Sequence, residues 1–325
     1  MNTLETKYGV LHGVTDIQKG KSGHVESCML NRENRIQTPV GELIPQFSPD
    51  EFGERQKKYR SSLSFFDSGE IKSAALDLPL PIQTPLDEYK AELVTFYKSG
   101  GVNRLFPLNG KIDGYWSEKN EGELAERLEF ELPLGRFMSK VIGIHFYESG
   151  ALKSLTLWPG EKIVLKTPVG LMRVRTGFSL YEDGSLKTVE PAQPMRIDTS
   201  IGSVLAFDAE MVGMHADQNS VQFAPNGELL SLKTVHTGVR VQAGDAAEVV
   251  MEPLETTSLI DMEEMRTVPM QIDFSADTVR IVGVTEQVFD RSDCTFSTFE
   301  RSQVLRSACA SCAGCSGAEA SCCTS

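Results

Sequence analysis

The sequence predicts a mainly β protein. Antiparallel β-hairpin repeats should form an elongated ribbon or solenoid-like sheet, with few short helices. Three observations predict this. One phrase recurs: Phe65-Phe66-Asp67-Ser68-Gly69-Glu70-Ile71-Lys72, then copies at 96–103, 146–153 and 180–187 and a looser one at 222–229. Self-similarity at spacings of a few tens of residues marks a repeat architecture. Second, apolar residues alternate beside each phrase. Ile142, Ile144 and Phe146 lead into the third copy; beyond it Leu152, Ser154 and Thr156 should face one way and Lys153, Leu155 and Leu157 the other. Third, each phrase centres on Ser-Gly, Asp-Gly or Asn-Gly, pairs that tolerate the positive φ of a tight hairpin.

In chain order, residues 1–60 read as N-terminal strands and a short helix. Ser48 is placed as N-cap, Pro49 at the first helical position and Glu51 three after the cap, which predicts a helix over 49–60. Residues 61–243 form the hairpin repeat domain, with bends at Gly69, Gly100, Gly150, Gly184 and Gly227. Unequal spacing of these glycines implies loops of different length inserted into a common ribbon. The charged insertion 118–131 suits a brief helix. A second phrase, apolar-x-Thr-Pro-x-Gly, occurs at 36–41 and 165–170, and in decayed form at 82–87 and 197–202. Because proline ends ladder pairing, it reads as the link between hairpins. Residues 244–306 read as an acidic connector and C-terminal strands, with strands at 270–274 and 279–284 and a segment, 292–306, that suits strand and helix equally. Residues 307–325 read as a disordered cysteine-rich tail.

Phe96-Tyr97-Lys98-Ser99-Gly100, followed by Asn109-Gly110-Lys111-Ile112-Asp113-Gly114-Tyr115-Trp116, resembles the bacterial, antitoxin-type variant of the MORN repeat. The resemblance covers about residues 60–235, although the second half of the motif survives only at 109–116. It implies a meandering antiparallel β-ribbon that serves as an interaction or scaffold module.

The chain of 325 residues carries a formal charge of −13. Between Arg240 and Arg266 lie Asp245, Glu248, Glu252, Glu255, Asp261, Glu263 and Glu264 with no Lys or Arg, as in a solvated linker. Nucleic-acid binders show a basic stripe, so DNA, RNA and anionic membranes are not expected partners. Residues 1–7 lack the apolar core of a signal peptide and no apolar run reaches membrane length, so a cytoplasmic location is expected.

Candidate chemistry concentrates in the tail. Cys309, Cys312 and Cys315, at Cys-x-x-Cys spacing, with Cys322 or Cys323, supply four soft ligands for Zn²⁺, Cu(I) or an iron–sulfur cluster. The surrounding residues are small and would not shield a cluster, so a disulfide-forming or redox-active tail and a processed or modified peptide core are alternative readings. Asp208, Glu210, His215 and Asp217 lie within ten residues and could hold a divalent ion, although an acidic loop explains them as well. Gly20-Lys21-Ser22 ends like a P-loop, but Thr15 stands where its first glycine is required. Cys28 reads as a core thiol and His145 as a solvent-facing or satisfied histidine. No nucleophile motif is present. The expected function is therefore a non-enzymatic β-repeat interaction or scaffold protein, with a protein partner and a thiol-rich tail. The alternative is a metal- or redox-handling protein whose tail is the working part.

Overall fold

The computed structural model describes residues 2–47, 55–58, 61–209, 211, 216–257 and 265–301. The protein is mainly β, and every strand pair is antiparallel. Among the described residues the only helix is Glu118–Leu124. The hairpins assemble into a 16-stranded open sheet, from Val14–Lys19 at one edge to Glu286–Asp290 at the other, accompanied by smaller two- and three-stranded sheets.

The repeat phrase forms the same hairpin each time. Gly69, Gly100, Gly150, Gly184 and Gly227 all lie at bends between paired strands, with φ of +90°, +90°, +91°, +85° and +86°. At the third bend the Tyr147 N–H donates to Ala151 O at 2.8 Å and the Gly150 N–H to Tyr147 O at 2.9 Å, and the other four bends repeat this pair. Beyond the bend the register skips one residue. Phe146 pairs with Leu152, but His145 pairs with Ser154, so Lys153 is bulged out. Lys72, Asn103, Lys187 and Leu230 are skipped in the same way. The bulge corrects the simple alternation expected after each bend. An extra residue resets the parity of the pleat, so Leu152 joins Leu155 and Leu157 in the core while Ser154 and Thr156 keep the other face. It also explains the recurring lysine: the Lys153 and Lys187 ammoniums sit 5.3 Å from the ring centroids of Tyr147 and Tyr181 in their own hairpins.

The Thr-Pro-x-Gly phrase is a hairpin bend itself, which corrects its reading as a link. Thr38 pairs with Gly41, Thr167 with Gly170 and Thr199 with Gly202, and each threonine hydroxyl donates to the paired glycine carbonyl at 2.7 Å. Proline occupies the first loop residue, where its fixed φ suits a turn and no ladder bond is needed. Ser200 fills that position in the third case. The tips of the two hairpin types meet: a Cβ added to Gly100 or Gly227 would lie 3.5 or 3.4 Å from Pro39 or Pro168, and one on Gly150 would lie 2.8 Å from Pro85.

The main sheet has two faces of opposite character. Cys28, Leu63, Ala74, Val94, Leu105, Ile144, Leu155 and Phe178 pair side by side across successive strands, and Val189, Val221, Leu232, Ile272 and Ile281 continue the row. All are buried. Ile82, Tyr89, Leu165 and Met172, farther along strands of the main sheet, and Phe130 and Val204, from the accompanying hairpins, belong to the same core. Rings of Tyr89, Phe130, Phe137 and Phe178 follow one another at 5.6, 5.4 and 6.3 Å and tie those hairpins to the sheet. Full burial of each large side chain contributes about 1.5–3 kcal/mol.

Other expectations are corrected or refined. The described part of the expected helix over 49–60, Arg55–Lys58, is extended: Lys57 bridges to Gly110 and the Lys58 N–H donates to Asn109 O at 2.7 Å. The Arg55 side chain is engaged with Glu92 and Glu121, which fixes this stretch against 109–111. Residues 49–54 and 59–60 lie outside the described residues. Insertion 118–131 holds the helix Glu118–Leu124, capped by Ser117 in a capping box, and the strand Leu128–Leu132. The acidic stretch 244–268 includes the strands Val249–Met251, Leu254–Thr257 and Met265–Val268, so it pairs into sheets rather than running free. Cys294–Glu300 resolves the ambiguous segment as a strand beside Thr237–Ala243.

Candidate interaction face

One residue along each strand from the apolar row, the opposite face carries a polar row. Ser27 pairs with Ser64, Ser64 with Ser73, Ser73 with Thr95, Thr95 with Arg104 and Arg104 with His145. The row continues through Ser154, Ser179, Thr188, Gln222, Ser231, Asp273 and Arg280. Neighbours hydrogen-bond along it: Ser64 with Ser73 at 2.6 Å, Ser179 with Thr188 at 2.7 Å, Ser231 with Asp273 at 2.7 Å, and Arg280 with Asp273 at 2.6 Å. Cross-strand partners lie about 4.5–5.5 Å apart, so the row is a nearly continuous polar track.

The middle of the track lies under residues 216–220. Asp217 is the fastening. Its carboxylate accepts from Arg104 Nη2 at 2.7 Å, from Ser154 Oγ at 2.7 Å and from His145 Nδ1 at 3.2 Å. The His145 hydrogen bond above all, then Ser154 and Arg104, hold the carboxyl well below the usual carboxylate range against the opposing effect of burial. Burial pushes His145 below its ordinary value despite Asp217, so the neutral ring donates through Nδ1. Ser, His and Asp are thus together but not wired as a triad. Ser154 and His145 both donate to Asp217 Oδ1, and the serine hydroxyl is not handed to the imidazole as a base. The arrangement fastens a segment and prepares no nucleophile.

Beside residues 216–220 the track opens into a groove of about 660 Å³. Ser64, Ser73, Thr95 and Arg104 form its floor, and Phe66, Lys72, Tyr97, Lys98 and Glu148 are among its walls. Lys98 pairs with Asp67 at 3.4 Å on the rim. The floor is rigid because it is the back of the apolar row.

A second buried polar cluster anchors the insertion. Arg55 makes bidentate bonds to Glu92 at 2.9 and 2.6 Å and to Glu121 at 2.6 and 2.5 Å. The Asn109 N–H donates to Glu92 at 2.7 Å, the Gly110 N–H to Glu121 at 2.8 Å and Trp116 Nε1 to Glu121 at 2.7 Å. Burial would raise the Glu121 carboxyl, but hydrogen bonds from Arg55 and Trp116 outweigh it and hold it low. The Asn-Gly-Lys-x-x-Gly-x-Trp phrase is therefore a loop that binds two internal carboxylates.

The sequence-predicted sites fall elsewhere. Cys309, Cys312, Cys315, Cys322 and Cys323 lie outside the described residues, as do Glu210 and His215. Asp208 is buried and pairs with Lys233 at 3.4 Å, whereas Asp217 joins the Arg104 cluster, so the two aspartates serve different anchors. Among the described residues no three His, Cys, Asp or Glu side chains converge as metal ligands. Cys28 lies in the apolar row, and burial pushes its thiol up to about 11. No described helix is long and apolar enough to cross a membrane. Arg104, Ser154, Glu92 and Glu121 were not legible as site residues, because partners set by register lie up to 113 positions away in the chain, which no local pattern reports. Comparisons with protein-family models, curated proteins and solved structures find no match.

Proposed function

We propose that this chain is a non-enzymatic β-repeat interaction or scaffold protein that receives a protein partner on the polar face of its main sheet. The open groove beside Arg104 carries the reading. It combines a flat hydroxyl floor, aromatic walls at Phe66 and Tyr97, and both signs of charge on a rigid scaffold, the mixture that suits an extended polypeptide segment. The clamp at Asp217 supports the same reading, since the Ser, His and Asp gathered there are spent on one another. Kinship with the MORN variant is part of the proposal, supported by the five equivalent hairpins. A photo-crosslinking residue at Lys72 or Ser73, introduced in the intact protein in cells, should capture a discrete protein partner. The same residue at the exposed Val164, on the strand Ile163–Thr167 and outside the groove lining, should not. Equal capture at the two places, or none at the groove, would refute the assignment.

A further inference from the structure

Residues 216–220 cross the polar face as a strap with fastenings at both ends. Asp217 holds one end on Arg104, Ser154 and His145. At the other end the Ser220 N–H donates to Glu190 Oε2 at 2.8 Å, and Asn219 Nδ2 donates to Thr188 Oγ1 at 2.8 Å. Glu190, Asn219 and Ser220 are 0%, 2% and 1% exposed. Even so, Glu190 Oε1, Asn219 Oδ1 and the neighbouring Arg175 Nε are buried with no hydrogen-bond partner among the described residues. Buried polar atoms are nearly always paired, so this concentration in one place marks an incomplete site.

The charged groups around Glu190 do not complete it. Arg175 Nη2 stops 3.8 Å from Glu190 Oε1, and the guanidinium lies 4.8 Å from the Phe207 ring centroid and donates to Asp208 O. Lys233, on the far side, pairs with Asp208. Glu190 Oε1 and Asn219 Oδ1 are both acceptors, and the donors beside them, the Ser220 hydroxyl and Arg175, lower the Glu190 carboxyl less than burial raises it, so a proton on Glu190 is the smallest group that completes the pair.

We propose that Glu190 is a proton-operated fastening: as a neutral acid it holds the Asn219–Ser220 end of residues 216–220 on the sheet, and as a carboxylate it draws in water and lets that end lift. Burial raises the Glu190 carboxyl from 4.5 to about 7. A lifted strap hydrates the group and returns it toward its ordinary value. Linkage then makes the strap's opening constant rise with pH between those two values, by up to about 300-fold. The fastening at Asp217 responds in the opposite sense. Asp217 and His145 both sit below their ordinary values, so that end loosens on acidification.

The test is amide hydrogen exchange of the full chain by NMR from pH 5 to pH 8, corrected for intrinsic rates. In the wild type, protection of the Ser220 amide should fall at least tenfold relative to the Phe178 amide in the core; in Glu190→Gln it should stay flat. A flat wild-type profile overturns the proposal. So does an equally steep fall in Glu190→Gln, which would assign the response to another group. Should Glu190→Gln fail to fold, the ¹³C titration of the Glu190 carboxyl in the wild type decides. A midpoint near 7 that coincides with the loss of protection supports the fastening, and a midpoint below 5 overturns it. The readout involves no partner, so it stands or falls separately from the proposed function.

Discussion

The Tyr147 hydroxyl donates to the Leu180 carbonyl at 2.9 Å, so the tyrosine of one repeat is fixed to the backbone of the next. Tyr97 does the same to Phe146 O at 2.8 Å and Tyr181 to Phe223 O at 2.9 Å. The repeat phrase therefore encodes more than a hairpin. Its first aromatic or apolar residue enters the core, its tyrosine stitches neighbours together, its glycine makes the bend and its lysine fills the bulge.

The stitch gives a paired prediction. Tyr147→Phe should lose about 0.5–1.5 kcal/mol, the ordinary net value of one hydrogen bond. The first copy has Phe66 at the tyrosine position. Phe66→Tyr should place a hydroxyl near the Phe96 carbonyl and gain a similar amount. Urea midpoints at unchanged slope measure both. A loss in the second variant would show that the first two repeats are spaced differently from the rest.

Gly150→Val should be more damaging than Gly160→Val. Both glycines have positive φ, +91° and +86°, which costs a β-branched residue about 1–3 kcal/mol at either place. A Cβ at Gly150 also meets Pro85 at 2.8 Å, whereas nothing lies within 4 Å at Gly160. Equal losses in denaturant midpoint would count against the tip-to-tip packing.

Arg55→Leu should cost about 3–5 kcal/mol at neutral pH, because it leaves Glu92 and Glu121 buried without their counter-ion. Acidification should recover part of that loss, since protonated carboxyls can be buried neutral. A loss of the same size from pH 4.5 to pH 8 would mean that the cost is one of shape rather than charge.

Stability should respond to pH with opposite signs at the two strap fastenings. Glu190 is raised, so its folded form holds a proton that the unfolded chain releases, and stability is lost as pH rises through about 7. Glu190→Gln should therefore gain on the wild type above pH 7, by roughly 2–3 kcal/mol at most. Asp217 is depressed, so its contribution is present above the unfolded value and is lost as pH falls through the folded one. Asp217→Asn should show its largest deficit at neutral pH and converge on the wild type in acid. Thermal melts across pH 3–9 distinguish the two patterns.

Removing residues 307–325 should leave the circular dichroism spectrum of the β protein unchanged, because the segment has no large apolar side chain to contribute to a core. The same truncation should abolish any metal binding. Of the remaining thiols, Cys28 is buried in the apolar row and Cys294 lies in the strand beside Thr237–Ala243, and two separated thiols make no zinc or cluster site. Equal metal content in the full and truncated proteins would contradict this.

The five hairpins were legible because glycine after Ser, Asp or Asn is a local signal and backbone geometry is a local demand. The bulge was not legible. Lys153 and Leu152 look alike to a period-two pattern, and only the observed pairing of His145 with Ser154 reveals the skipped residue. The Thr-Pro phrase misled because proline was weighed as a ladder breaker; in a two-residue loop it has no ladder bond to break. The Ser48-Pro49 helix signal gave way, over Arg55–Lys58, to the ion pairs of Arg55, whose partners lie 37 and 66 residues away. The polar track was hidden for the same reason: serines and threonines scattered through the sequence become one row only after the strands are in register.

The most direct test of the central claim is the affinity of a partner captured at the groove for two variants of the intact protein. Ser73→Trp fills the groove floor, and Val164→Glu alters an exposed position on the strand Ile163–Thr167, outside the groove lining. The account predicts at least tenfold weaker binding for Ser73→Trp and wild-type binding for Val164→Glu, with both proteins melting as the wild type does. Wild-type affinity in Ser73→Trp, or loss confined to Val164→Glu, would contradict it.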